Sequence, residues 1–94
     1  MPHRIRASVR FLTTAEGGRV TPPQSGVRPQ LRLGKVYTTV LIHGASPTQS
    51  FDLGVAYDVT LELPFWTEVA HLFRPDDACE LYEGNHLVAR GTWS

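Results

Sequence analysis

The sequence predicts an all-β fold, a barrel or a sandwich of about six strands. Three observations carry this. Three stretches alternate apolar and polar residues with period two. Clusters of Gly, Pro, Asn and Ser separate short runs rich in β-branched and aromatic residues. No segment holds a helical apolar period for more than a turn or two. With 94 residues, the chain has room for one domain, 1–94.

Arg4 to Leu12, RIRASVRFL, puts Ile5, Ala7, Val9 and Phe11 on one face and Arg4, Arg6, Ser8 and Arg10 on the other. That is the pattern of a half-buried strand. Val27 to Leu33 alternates too, with Val27, Leu31 and Leu33 against Arg28, Gln30 and Arg32. Pro29 cannot donate to a ladder, which predicts an edge or a bulge there. Gly34-Lys35 reads as a kink or tight turn into a strand over Lys35 to His43, KVYTTVLIH. Gly44 to Ser50 is turn chemistry. Val55 to Leu63 is the next clear alternation, with Val55, Tyr57, Val59, Leu61 and Leu63 inward; Pro64 ends it. Phe65 to Asp77 spaces Phe65, Val69, Leu72 and Phe73 for one or two helical turns. Ala78 to Tyr82 and His86 to Trp93 flank Glu83 to Asn85, a predicted hairpin.

Composition narrows the function classes. Net charge is zero, so there is no bulk attraction to nucleic acid. Charge is nevertheless unevenly placed: seven of nine basic residues fall in the first 35 positions, and eight of nine acidic residues lie from Asp52 onward. In an all-β fold the two halves interleave, and their charges are expected to pair across it. No apolar run reaches the ~20 residues of a membrane helix, and the N-terminal MPHRIRASVR has no signal-peptide apolar region. The single cysteine, Cys79, cannot bridge within the chain and fits a reducing compartment. A cytoplasmic protein is expected.

No phosphate-cradling GxxxxGKS/T loop is present, so nucleotide binding of that type is not predicted. His3, His43, His71 and His86 have no ligand spacing with one another or with Cys79, and no metal site or cofactor is expected. Cys79 reads as a buried, inert thiol. Asp76-Asp77 after Pro75 read as a turn. Trp66 and Trp93 read as packing residues. No residue pattern calls for catalysis, and no catalytic residue is assigned.

One stretch is more specific. EGGRVTPPQSGVRPQ, Glu16 to Gln30, holds three glycines, three prolines and two arginines. Glu16, Gly17, Gly18, Arg19, Thr21, Pro22, Gly26, Arg28, Pro29 and Gln30 stand in the order and spacing of an EGGR-x-TP-x-x-x-G-x-RPQ pattern. This resembles the C-terminal, third domain of translation elongation factor Tu. LYEGNHLVARGTWS resembles the last hairpin of that domain through Glu83, Gly84, Val88 and Gly91, and FDLGVAYDVTLELP resembles its preceding turn and strand. The resemblance implies a closed six-stranded antiparallel barrel with Greek-key character, standing without the GTPase domain and second barrel of the factor. It also implies RNA contact at positions matching Arg19, Gln30, Glu83 and Gly84. Departures fall at Leu63, Asn85 and His86, where the family carries a basic residue, a glycine and an arginine.

Two roles are expected from this. The first is a protein-interaction module binding a partner or its own copy, with Phe65, Trp66 and Phe73 as candidate interface residues. The alternative is a translation-related tRNA- or RNA-binding accessory protein using Arg19, Arg28, Gln30, Glu83 and Gly84.

Overall fold

The computed structural model describes residues 3–94. Its strands are β1 (His3–Phe11), β2 (Gln30–Leu33), β3 (Val36–Thr39), β4 (Leu41–His43), β5 (Ala56–Leu63), β6 (Cys79–Glu83) and β7 (His86–Trp93). They form one antiparallel sheet in the order β3-β2-β6-β7-β1-β5-β4. The longest pairing joins β1 to β5, from His3↔Leu63 to Arg10↔Ala56. This is an all-β, barrel-like architecture.

The alternation read from β1 is the alternation that packs. Ala7, Val9 and Phe11 are buried, while Arg4 and Arg6 are exposed. They join Leu31, Leu33, Val40, Ile42, Phe51, Val59, Leu61, Leu63, Cys79, Leu81 and Ala89 in one core. Non-local strand pairs bring these residues together, and their burial is the main stabilising term.

Seven strands form where six are expected because the Lys35–His43 stretch divides at Val40. Pro29 is the cause. Val40 N–H donates to the Pro29 carbonyl at 3.1 Å, but Pro29 has no N–H to return, so one rung is missing. The pairing nevertheless keeps one register from Val27↔Ile42 through Gln30↔Thr39 to Leu33↔Val36. β4 also pairs with β5, from Leu41↔Glu62 to His43↔Thr60. One bent stretch therefore touches both ends of the sheet.

One other expectation is corrected. Val55 was expected inward but is 45% exposed. Its N–H closes a turn on the Asp52 carbonyl, and β5 begins only at Ala56. The Phe65–Asp77 segment does form helical turns, α1 (Trp66–Val69) followed by a 3-10 turn at Ala70–Leu72. Val69 is buried beneath it. Trp66 stacks on His3 with ring centroids 4.0 Å apart, and Phe73 meets Trp66 and Trp93 edge-on. No helix among the described residues is long and apolar enough to cross a membrane.

Candidate functional site

The long β1–β2 connection is built as a folded loop. Thr13 caps a 3-10 turn at Thr14–Glu16: its hydroxyl accepts from Glu16 N–H, and Glu16 Oε1 accepts from Thr13 N–H at 2.8 Å. This is a reciprocal capping box, legible in the sequence as Thr-x-x-Glu but not identified there. The Thr13 backbone bond, and then the Arg10 guanidinium, hold the Glu16 carboxyl down at about 2.

The two glycines that follow do different jobs. Gly17 adopts a left-handed conformation, φ 86°, which a side chain disfavours. Gly18 does not; a Cβ there would strike the Leu12 backbone carbonyl. Beyond them, Ser25 N–H donates to the Gln49 carbonyl and Phe51 N–H to the Pro23 carbonyl, both at 2.8 Å. Pro23 is buried, and Phe51 is buried against Phe11. The loop is thereby laced to the 49–51 segment at the edge of the core.

This lacing positions Arg19. Its Nε donates to the Thr21 carbonyl at 3.1 Å, and its own carbonyl accepts from the Thr14 hydroxyl at 2.8 Å. Its guanidinium forms an ion pair with Glu83. Gly84 follows Glu83 in the β6–β7 turn with φ 62°. Gln30 lies on β2 opposite Tyr82, the neighbour of Glu83. Arg19, Gln30, Glu83 and Gly84, far apart in sequence, thus meet around one hairpin end. Arg28 is exposed on the approach to β2 and enters none of the ion pairs among the described residues.

Beside this cluster the outer face of β2, β3 and β6 carries a feature not read from the sequence. Tyr37 meets Tyr82 edge-on at 5.3 Å, and Tyr37 lies across from Arg32 in the β2–β3 register. Arg32 and Arg90 both approach Glu80, at 3.8 and 3.4 Å. Period two places these side chains on one face, but only the strand order makes them neighbours.

The charge asymmetry resolves as internal pairing. Arg4–Glu62, Arg19–Glu83 and Arg32–Glu80 each join the basic first part of the chain to the acidic second part. Glu62 also accepts a 3.0 Å contact from His43 Nε2. An open groove of about 670 Å³ lies beside this pair, lined by Arg4, Arg6, His43, Asp58 and Thr60 among others.

The candidate interface aromatics divide. Trp66 and Phe73 pack against the core, whereas Phe65 is 53% exposed. Cys79 is fully buried; desolvation first, then the Glu80 charge, push its thiol up to about 12. Among the described residues no group of three or more His, Cys, Asp or Glu side chains is placed to hold a metal ion. No protein-family model matches the chain, and no curated protein matches it.

Proposed function

We propose that this protein is a non-enzymatic interaction module that binds another protein or its own copy in the cytoplasm. One observation carries this. Large apolar side chains stand exposed: Val36 and Tyr37 on the structure's end strand are 42 and 47% exposed, and Phe65, after β5, is 53% exposed. An isolated exposed apolar residue is ordinary, but side chains of this size at a sheet end suit an interface. The fold under this proposal is a closed six-stranded barrel of the elongation factor Tu third-domain type, with β3 and β4 counted as one strand. The continuous register from Val27↔Ile42 to Leu33↔Val36 supports that count.

The RNA-binding alternative is supported by the gathering of Arg19, Gln30, Glu83 and Gly84 at one hairpin end. It is opposed by the pairing of Arg19 with Glu83, which neutralises the cation a phosphate would need.

Affinity capture from native lysate, with and without ribonuclease, separates the two. A protein partner retained after ribonuclease, and lost from a Tyr37→Asp, Phe65→Asp double variant that keeps its circular dichroism spectrum, supports the interaction role. Capture that disappears with ribonuclease, together with tRNA binding that weakens steeply with salt and falls when Arg19 and Arg28 become Ala, replaces it with the alternative.

A further inference from the structure

The groove beside the Arg4–Glu62 pair exists because two strands stop short. β1 and β5 form its floor, in the longest pairing of the sheet. β4 ends at His43↔Thr60, and the chain turns away at Gly44-Ala45, where Ala45 N–H donates to Gln49 Oε1 at 2.6 Å. β7 ends at Trp93, and Ser94 N–H donates to the Arg6 carbonyl at 3.0 Å. His43, Thr60 and Arg6 stand in one rung across the groove, with Ser94 beside Arg6. Directly paired residues share a face of the sheet, so an imidazole, a hydroxyl and a guanidinium open together.

The charges around the groove balance, but they are not all paired. Glu62 already holds Arg4 at 3.2 Å and His43 at 3.0 Å. Arg6 and Asp58 are both exposed and enter none of the ion pairs among the described residues. Arg6 lies opposite Thr60 and Asp58 opposite Ser8, which makes the two charges diagonal neighbours on adjacent strands. Such positions lie roughly 7–8 Å apart. A guanidinium and a carboxylate thus face one groove without meeting each other, and the Thr60 hydroxyl lies beside them.

This balance selects the class of ligand. A purely anionic group brought to Arg6 meets the Asp58 carboxylate. A purely cationic group brought to Asp58 meets Arg6 and Arg4. A small molecule carrying both charges satisfies both side chains and is repelled by neither. The groove volume of about 670 Å³ is that of a small-molecule site.

We propose that this groove binds a small zwitterion, a free amino acid or dipeptide, with its carboxylate on the Arg6 guanidinium and the Thr60 hydroxyl and its ammonium on Asp58. This site goes beyond the interaction role proposed above, since Val36, Tyr37 and Phe65 do not line the groove.

Amide chemical-shift titration of the whole chain with alanine and with alanyl-alanine tests this. Two half-charged probes, N-acetyl-alanine and alaninamide, keep only the carboxylate or only the ammonium. The expected result is saturable shifts at Arg6, Asp58 and Thr60. The dissociation constant rises at least about tenfold for each half-charged probe, and for alanine and alanyl-alanine in the Arg6→Gln and Asp58→Asn variants. The half-charged probes on the unmodified protein decide the matter if the variants fail to fold. No saturable shift with alanine or alanyl-alanine, or affinity unchanged in both variants, overturns the proposal. So does N-acetyl-alanine binding as tightly as alanine, which would make the groove a plain anion site.

Discussion

The two hairpins of this protein are nearly the same locally and very different in context. β2–β3 turns on Gly34-Lys35 and β6–β7 on Gly84-Asn85. In each a glycine comes first, with φ 63° and 62°, and the second residue has negative φ. That is the type II′ pattern suited to the twist of paired strands. Yet β7 has a neighbour on both sides, β6 and β1, while among the described residues β3 has only β2. The difference teaches that turn chemistry builds a hairpin but does not say whether its outer strand will be covered.

The largest effect expected from this contrast comes from truncating one residue in each hairpin. Leu81 on β6 is fully buried, so Leu81→Ala is expected to cost about 2–5 kcal/mol. Val36 on β3 is 42% exposed, and Val36→Ala is expected to stay within about 0.5 kcal/mol. Urea unfolding midpoints check both; equal losses would mean that β3 is as covered as β6.

Substituting the turns sharpens the likeness. A Cβ on Gly34 or Gly84 meets nothing within 4 Å, so only the positive φ resists it. Gly34→Ala and Gly84→Ala are each expected to cost about 1–2 kcal/mol. Thermal unfolding of the two variants should agree. A much larger loss at Gly84 would show that the turn is held from outside the hairpin.

The Arg19–Glu83 pair joins the long loop to the β6–β7 hairpin; among the described residues no ion pair joins that loop to β2–β3. Both side chains are partly exposed, at 24 and 37%, so a double-mutant cycle with Arg19→Ala and Glu83→Ala should give a coupling of up to about 1 kcal/mol that shrinks with salt. No coupling would detach the loop from the hairpin.

Glu16, outside both hairpins, provides a control. Its carboxyl is held at about 2 against an ordinary 4.5. A lowered folded-state pKa means the stabilisation is fully present above about 4.5 and is lost as pH falls toward about 2. Glu16→Gln should flatten the stability-versus-pH curve in that window alone, as followed by thermal melts from neutral to acid pH; an unchanged slope would show that the capping contacts contribute nothing there.

How legible the molecule is in its sequence follows from the range of each interaction. The inward set of β1, the strand ahead of Pro64, both glycine turns and the helical turns after Phe65 were all readable, because each depends on neighbours a few residues away. Val55 was misread, since alternation does not say where a strand starts; the Asp52–Val55 turn does. Gly17 and Gly18 are adjacent, yet Gly17 needs its positive φ whereas Gly18 is required by close approach to Leu12. Trp66, Phe73 and Phe65 looked equivalent as interface residues, and only packing against His3 and Trp93 separates the half-buried pair from the exposed one. At the candidate site the sequence singled out Arg19, Gln30, Glu83 and Gly84 through a resemblance, whereas the Tyr37–Tyr82 face left no linear signal.

By itself the sequence determined which residues point in, where the chain turns, and that the fold is all-β, because period, β-propensity and turn chemistry are local. Only the tertiary structure decided that Pro29 would cost a rung and divide one strand into two, that Arg19 would meet Glu83, and that β3 would end the sheet uncovered. Those outcomes depend on pairings between residues distant in the chain, and a missing backbone N–H has no structural consequence until the strand that needed it is in place.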